Sequence, residues 1–234
     1  MTNDKGQFLL SAADLTRYLS CRHLTELDRS VAEGGRKAPK YNNPTLAFLQ
    51  ERGQIHEEAY VKRLSEQKLK IVDLRGRPSS ETMLVLRAGP DIITQAELRD
   101  GVWMGRADIL RRVNTPSQLG KWSYEVVDTK LAHETQGATV LQLCLYTDLL
   151  GNLQGLKPAK MHVVSPGESF PEESLLFTDF HAYYRLIRKN LESVLVKPPS
   201  RWTRIAESEF IVDNVKSQSV SYVILRSYDC RCPG

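Results

Sequence analysis

The chain of 234 residues carries 32 Lys and Arg against 28 Asp and Glu, which gives a net charge of +4 at neutral pH. This mildly basic balance permits a nucleic-acid partner without arguing for one. The hydrophobic share of 41% is enough for the core of one sizeable domain. No apolar run approaches the roughly 20 residues of a membrane span, and the opening MTNDKGQFLL has no apolar signal segment. Scattered cysteines are typical of a reducing compartment, so we expect a cytoplasmic protein with no membrane partner.

The first part of the chain is predicted to be mostly helical. Ser11 and Asp14 resemble a capping box at the start of a helix that breaks near Cys21. Residues 31–44 are rich in Gly, Pro and Asn and are predicted to form a loop. A long helix is predicted from about 45 to 67. Its apolar stripe comprises Leu49, His56, Tyr60 and Leu64.

The second part alternates between strand-like and helical segments. The predicted order is a strand at 69–74, a helix at 79–89, a hairpin turning at Asp100-Gly101, a strand at 122–130, an apolar helix ended by Gly151, a strand in PAKMHVVSP, a further strand in ESLLFTDF, and a basic helix at 180–196. This order predicts an α/β fold with a mixed β-sheet flanked by helices and a helical N-terminal part.

A D-x-K motif ends the strand predicted at 122–130. Side chains alternate between the two faces of a strand, so Asp128 and Lys130 share one face and Glu125 points to the other. A carboxylate and an ammonium group together at a strand end can serve a metal ion and its activated water. The alternative is a plain ion pair, which is common at such spacing.

Asp108 stands in MGRADIL, a strand segment that otherwise looks like core. A buried carboxylate is costly unless it is paired or bound to a metal. If this strand lies beside 122–130, Asp108 and Asp128 converge, and a divalent cation between them removes their mutual repulsion. Oxygen ligands of this kind favour Mg²⁺ or Mn²⁺. The alternative is that Asp108 pairs with Arg106 or Lys130.

Three further polar residues lie on helices that are otherwise apolar. His56 is on the stripe of the long helix, where a lone histidine is more often a core residue than a ligand. Gln142 and Tyr146 are four residues apart and therefore neighbours on one helical face. They can line a substrate path beside the strand site, or they can be a core tyrosine with a hydrogen-bonding glutamine.

Four motifs in order resemble those of the RecB-family nucleases, a branch of the PD-(D/E)xK superfamily. They are G-x-x-H at 53–56, G-x-x-D at 105–108, D-x-K at 128–130 and Q-x-x-x-Y at 142–146. The segment LSAADLTRYLSCRHLTELD also resembles the opening of the bacterial RecB-like nucleases and of the CRISPR-associated RecB-like exonucleases. The resemblance covers residues 8–200, which we expect to form one nuclease domain with a restriction-endonuclease-like core.

The resemblance implies a role for each matching residue. His56, Asp108, Asp128 and the carbonyl of Thr129 would be metal ligands for Mg²⁺ or Mn²⁺. Lys130 would be catalytic together with the two aspartates, by activating water and stabilising charge on the phosphate. The remaining implied roles are substrate binding by Gln142 and Tyr146, DNA as the substrate, a setting in DNA repair, recombination or defence, and a helicase or other DNA-processing domain as partner.

The cysteines depart from the family pattern. Members that hold an iron–sulfur cluster have one cysteine near the front, which Cys21 matches, and three near the C-terminus. Residues 201–234 contain only Cys230 and Cys232 in the C-x-C spacing, so a cluster would have to recruit Cys144 from a buried helix. Cys144 is better interpreted as a small buried hydrophobe. The segment 201–234 is an atypical tail that a truncation or a frameshift would explain.

Two alternatives to a nuclease follow from the sequence. The first is a catalytically inactive, nuclease-like DNA-binding module. The second is a structural iron–sulfur protein. The presence of His56, Asp108, Asp128 and Lys130 together favours the enzyme, and the incomplete cysteine set disfavours the second alternative. Basic residues that could contact phosphates are Arg17, Arg22, Arg106, Arg111, Arg112, Arg185, Arg188 and Lys189.

Overall fold

The computed structural model describes residues 1–4, 6–38 and 43–196. The tail at 201–234, with Cys230 and Cys232, lies outside the described residues, as does the predicted domain boundary at 200. The helices are α1 (Ala12–Ser20), α2 (Arg22–Ala32), α3 (Pro44–Glu66), α4 (Ser80–Ala88), α5 (Gly137–Gln154) and α6 (Phe177–Val196). The strands are β1 (Thr2–Asp4), β2 (Gln7–Leu9), β3 (Ile71–Asp73), β4 (Ile92–Asp100), β5 (Trp103–Val113), β6 (Ser123–Thr129), β7 (Lys160–Val164) and β8 (Glu172–Leu176).

The fold is α/β, with a six-stranded mixed sheet flanked by helices. The strands follow one another in chain order from β3 to β8, and β1 pairs with β2 as a separate two-stranded ribbon. β3–β4 and β6–β7 are parallel pairs, whereas β4–β5, β5–β6 and β7–β8 are antiparallel. The hairpin predicted at Asp100-Gly101 joins β4 to β5. The α/β class and the mixed sheet are therefore confirmed.

The helices cover the two faces of the sheet unequally. The larger core lies on the face covered by α1, α4, α5 and α6, and includes Leu15, Leu143 and Tyr184. The smaller core lies on the opposite face, where Tyr60 and Leu64 of α3 pack against strand residues. The apolar faces of the helices and the alternation of the strands thus build one sheet between two helical layers.

Several element boundaries differ from the prediction. α5 passes through Gly151 and ends at Gly155, which takes the left-handed conformation at φ 67°. Lys157 lies so close to Gly151 that an added Cβ would come within 2.3 Å of its side chain, so this glycine is needed for packing. α6 begins at Phe177, three residues before the predicted start, because β8 ends at Leu176.

The N-terminal half of α3 is less buried than its sequence pattern predicts. Leu49 is half-exposed, and the buried residues of the helix are Tyr60 and Leu64, both in its C-terminal half. Asn43 caps the start of the helix by accepting hydrogen bonds from the backbone N–H groups of Thr45 and Leu46. The apolar stripe therefore packs only from about the middle of the helix onward.

Among the residues at 1–4, 6–38 and 43–196, no helix combines the length and apolar character that a bilayer crossing requires.

Candidate active site in the middle of β5 and at the end of β6

The two aspartates of the D-x-K and G-x-x-D motifs lie side by side. β5 and β6 pair Ile109 with Val127, so the next row of the same register places Asp108 opposite Asp128. The backbone N–H of Thr129 points to Asp108 Oδ2 at 3.4 Å. The predicted convergence of Asp108 and Asp128 thus matches the register of the sheet.

The charge of Asp108 is unfavourable in this position. Burial, the neighbouring charge of Asp128 and a side-chain hydrogen bond to Asp128 together raise the pKa of the Asp108 carboxyl to about 7, against the opposing effect of Lys130. Two adjacent carboxylates of this kind repel each other, and a bound cation relieves the conflict. The pair therefore has the electrostatic character of a cation site.

Asp128 is the centre of the polar contacts. Its side chain is 1% exposed, and Oδ1 accepts a hydrogen bond from Gln142 Nε2 at 2.9 Å. Lys130 Nζ lies 2.6 Å from Oδ2 and forms an ion pair with it. The geometry of that pair is not that of a hydrogen bond, so among the described residues Oδ2 has no hydrogen-bond donor. A buried carboxylate oxygen in this state retains capacity for a further positive partner.

Gln142 and Tyr146 of α5 face this site together. Gln142 orients Asp128, and Tyr146 packs its ring against the backbone of Gly105 in β5. Burial raises the pKa of the Tyr146 phenol, and the charges of Asp108 and Asp128 raise it further, so the phenol is neutral at ordinary pH. Two of the four sequence motifs therefore meet at a direct packing contact.

Two adjoining cavities, of about 390 and 370 Å³, share Ser11 and Tyr146 in their walls. The first is also lined by Lys130 and Gln142, and the second by Arg106. Lys130 is therefore accessible from a cavity while its ammonium group contacts the buried Asp128. Such a cavity can admit a ligand to the lysine.

His56 lies beside the end of β7 but not in one group with the aspartates. Its Nε2 is 3.4 Å from the carbonyl oxygen of Val164, and its ring stacks on Phe170 with the ring centroids 5.6 Å apart. The backbone N–H of Lys130 donates to the same carbonyl oxygen at 3.0 Å. His56 is thus linked to the D-x-K motif only indirectly, through the carbonyl oxygen of Val164.

Glu57 is a largely buried carboxylate of α3 that the sequence interpretation did not single out. Gln95 Nε2 of β4 donates to Glu57 Oε1 at 2.7 Å. Burial raises the pKa of the Glu57 carboxyl, and the nearby charge of Asp108 raises it further. A sequence signal existed, because Glu57 lies three and seven residues before the buried Tyr60 and Leu64, on the packed face of α3.

Glu125 faces away from the site, as strand alternation predicts. Its Oε2 lies 2.9 Å from Nε2 of His162, and Nδ1 of His162 lies 2.8 Å from Glu172 Oε1. Two hydrogen bonds join Arg111 to Glu172, at 2.7 and 2.9 Å. These four residues form a separate polar network that links β5, β6, β7 and β8, so Arg111 has a structural partner rather than a free guanidinium.

The carboxylates of Asp108 and Asp128 are the oxygen donors that the site offers to the implied metal. In the part of the chain that the structure describes, no three His, Cys, Asp or Glu side chains are arranged to hold a metal ion, so His56 does not complete a trio with Asp108 and Asp128. Mg²⁺, however, is commonly bound through one or two carboxylates, with waters and substrate phosphates completing its shell. Asp108 and Asp128 supply two such carboxylates, and Oδ2 of Asp128 accepts no hydrogen bond from a described residue, so this pair fits that requirement.

The described cysteines do not form a ligand group. Cys21 is half-exposed between α1 and α2, and Cys144 is buried in α5. Burial raises the pKa of the Cys144 thiol to about 12, so it remains protonated at neutral pH, whereas cluster ligands are thiolates. Cys144 is a core residue, which agrees with its interpretation from the sequence.

Comparison with known proteins does not assign a family. No family model matches the chain, and no curated protein matches it. A solved structure described as "Crystal structure of SSO0001" aligns with 86% of this chain and 82% of its own, at 16% identity and a TM-score of 0.39. A likeness at this level supports no conclusion about function.

Proposed function

We propose that the chain is a metal-dependent nuclease that hydrolyses DNA phosphodiester bonds, with a PD-(D/E)xK core formed by β4, β5, β6 and α5. The observation that carries the proposal is the arrangement of Asp108, Asp128 and Lys130. Two adjacent carboxylates with unfavourable mutual charge stand beside an ammonium group that is accessible from a cavity. Each group matches a requirement of phosphodiester hydrolysis.

The two aspartates would hold Mg²⁺ or Mn²⁺. When bound, such a cation polarises the phosphodiester and lowers the pKa of its water. The hydrogen bond from Gln142 fixes one oxygen of Asp128 and leaves the other, Oδ2, directed to Lys130 and the cation. Because Asp128 is buried and held at both oxygens, its orientation requires little rearrangement when substrate binds.

Lys130 would act on the phosphate. Its ammonium group neutralises Asp128 in the absence of a ligand, and it is partly exposed to the cavity lined by Gln142 and Tyr146. Once Asp128 is neutralised by a bound cation, the Lys130 ammonium group would be available for the negative charge that develops on the phosphate. The two adjoining cavities give the nucleic acid access to this point.

Cleavage assays on labelled linear DNA test the proposal. Single- and double-stranded substrates are each incubated with the chain in Mg²⁺, in Mn²⁺ and in EDTA. We expect cleavage of at least one substrate with a divalent cation and none in EDTA. Absence of cleavage, together with retained DNA binding, would support the catalytically inactive binding module instead.

The exposed Lys160 offers a matched control for loss of a lysine. Lys160 lies at the start of β7, so Lys160→Ala removes a positive charge without touching Asp108 or Asp128. Lys160→Ala should cleave like the parent, and Lys130→Ala should not. Equal activity of the two variants would remove Lys130 from the chemistry.

A further inference from the structure

We propose that His162 is the proton-binding switch of a clamp that holds the edge strand β8 against the sheet. The clamp consists of Arg111 of β5, Glu125 of β6, His162 of β7, and Glu172 and Ser174 of β8. The protonated ring links β8 to β7 and β6, and the neutral ring loses one of these links. None of these side chains belongs to the proposed cation site, so the clamp does not depend on nuclease activity.

The strand β8 is held on one side only. It is the last strand of the six-stranded sheet and pairs with β7 alone. An edge strand leaves half of its backbone groups outside the ladder, so its side-chain contacts matter more than those of an inner strand. Two side chains of β8 contact His162, namely Glu172 and Ser174, and Ser174 stands directly opposite His162 in the register. A change in the charge of His162 therefore acts on this strand.

The ring of His162 faces a carboxylate at each nitrogen. Nε2 lies 2.9 Å from Glu125 Oε2, and Nδ1 lies 2.8 Å from Glu172 Oε1. A neutral imidazole has one N–H and a carboxylate is only an acceptor, so the neutral ring cannot donate to both glutamates, whereas the imidazolium can. Because the side chain is 5% exposed, little water is available to compensate for a missing donor.

Ser174 provides an alternative partner for the neutral ring. Its Oγ is 3.0 Å from Nδ1 of His162. A hydroxyl accepts a hydrogen bond from an imidazolium or donates one to a neutral ring nitrogen. Once the proton has left Nδ1, the Ser174 hydroxyl can donate to that nitrogen, whereas the carboxylate of Glu172 faces a lone pair at 2.8 Å. Deprotonation therefore removes the link between His162 and Glu172 and leaves the ring with a partner.

The groups around His162 favour the protonated ring on balance. Burial lowers the pKa of His162, but the hydrogen bonds to Glu125 and Glu172 raise the pKa by more. The positive charge of Arg111 lowers the pKa of His162 again, by less. The other titratable or charged groups that pack on this network are Tyr60 and Arg63 of α3. The net shift is upward because the two carboxylates contact the ring directly.

The upward shift fixes the direction of the pH dependence. The folded chain holds the proton more tightly than the unfolded chain, so the stability that the clamp contributes is fully present below the ordinary histidine pKa of 6.5. That stability is lost as pH rises through the folded-state pKa. Glu172 stays ionised, because the hydrogen bonds from His162 and Arg111 lower the pKa of its carboxyl to about 2. We therefore expect β8 to be held more tightly in mildly acidic than in alkaline solution.

NMR of the ring nitrogens follows the proton itself in the full, isotope-labelled chain, because these nuclei distinguish the imidazolium from the two neutral tautomers. We expect His162 to titrate above the ordinary value of about 6.5. On deprotonation the ring should keep its proton on Nε2, where Glu125 accepts it. A midpoint at or below about 6.5, or a neutral ring with its proton on Nδ1, would overturn the proposal.

Amide hydrogen exchange measures how firmly β8 is held. Its protection factors, corrected for the intrinsic effect of pH on exchange, should fall about tenfold or more from about pH 6 to about pH 9, as loss of one hydrogen bond to a charged group implies. The amides of β4 are the internal control, since no clamp residue lies on that strand. Constant protection of β8, or an equal fall in β4 and β8, would contradict the clamp.

Glu172→Gln separates the switch from a fixed structural contact. Its amide oxygen can still accept from Arg111, and its NH₂ group can donate to the neutral Nδ1 of His162. Protection of β8 should therefore become nearly independent of pH in this variant, and also in His162→Gln, which has no proton to lose. His23→Gln alters an exposed histidine of α2 and should retain the pH dependence of the parent. A folded Glu172→Gln protein with the parent's pH dependence would overturn the proposal.

Discussion

Gly105 lies directly against the ring of Tyr146. A Cβ added at position 105 would come within 2.2 Å of Tyr146 Cε1 and 2.7 Å of its Cδ1. The glycine of G-x-x-D and the tyrosine of Q-x-x-x-Y are therefore complementary in shape, and the tyrosine forms part of both adjoining cavities. This contact fixes α5 over the strand that carries Asp108.

Gly105→Ala should therefore destabilise the fold. Overpacking of a well-filled contact costs about 1–3 kcal/mol of unfolding free energy. Urea unfolding measures the loss. In a Tyr146→Ala background the same substitution should cost much less, because the ring that it strikes is gone.

Gly53 provides the matched control for that substitution. It lies within α3, and a Cβ added there would meet no atom within 4 Å. Gly53→Ala should raise the unfolding free energy by about 1 kcal/mol, the difference in helix propensity between the two residues. Equal destabilisation by Gly105→Ala and Gly53→Ala would contradict the packing role of Gly105.

The raised pKa of Asp108 predicts how the effect of Asp108→Asn depends on pH. The folded-state pKa is about 7 against an ordinary value of 3.8, so between these values the folded chain binds more protons than the unfolded chain. The contribution of Asp108 to the free energy of unfolding therefore falls as pH rises from about 4 to about 7. Asp108→Asn should be more stable than the parent at pH 8, by about 2 kcal/mol or more, and the advantage should shrink toward pH 5.

The difference between parent and variant is the quantity to measure in metal-free buffer. Burial lowers the pKa of His162, but its hydrogen bonds to Glu125 and Glu172 raise the pKa by more, so the net shift is upward. The stability that His162 contributes is therefore likewise lost as pH rises through its folded-state pKa. That contribution is common to the parent and Asp108→Asn and cancels in the difference. A stability difference that does not change with pH would show that Asp108 titrates normally.

Asp108→Ala is expected to abolish Mn²⁺ binding. The two aspartates supply the carboxylate oxygens of the proposed site, and Asp128 alone is already neutralised by Lys130. Calorimetric titration compares the variant with the parent and with Asp179→Asn, which alters an exposed aspartate at the start of α6. Parent-like Mn²⁺ binding by Asp108→Ala would refute the assignment of the site.

Lys130→Ala should make stability depend on metal. Without the ammonium group, the buried Asp128 loses its ion pair at Oδ2. The cost should be about 2 kcal/mol in EDTA, less than for a fully buried pair because Lys130 is partly exposed. Mn²⁺ should raise the thermal midpoint of Lys130→Ala more than that of the parent, because the cation replaces the lost charge. An equal rise in both proteins would separate Lys130 from the cation site.

The long elements were predictable from the sequence because their periodicity is regular. α3, the hairpin of β4 and β5, and the placement of Asp128 and Lys130 at the end of β6 all follow from helical spacing, turn residues or strand alternation. The end of α5 was not predictable from the sequence, because Gly151 is kept inside the helix by its close packing against Lys157. A glycine signals a helix end only where no neighbour requires its small size.

The surroundings of Glu57 and Gln95 could not be derived by alternation. A regular strand is assumed when faces are assigned, and the left-handed Gln95 interrupts that regularity at the row of Asp108. Gln95 gives no clear signal in the sequence, because β4 also carries the polar Thr94 and Glu97 beside it. The short β1–β2 ribbon also carried no recognisable alternation, because each strand has three residues.

Cleavage of labelled DNA by folded Lys130→Ala tests the central claim most directly. The parent, Lys130→Ala and Lys130→Arg are first matched for thermal midpoint and Mn²⁺ occupancy, so that folding and metal binding are held constant. The parent should cleave in Mn²⁺ and not in EDTA, and Lys130→Ala should be slower by about 10²-fold or more, as expected for loss of a preorganised charge. Lys130→Arg should not restore the rate, because a planar guanidinium cannot take the position of an ammonium point charge. Parent-like cleavage by the folded, metal-loaded Lys130→Ala protein would contradict the account.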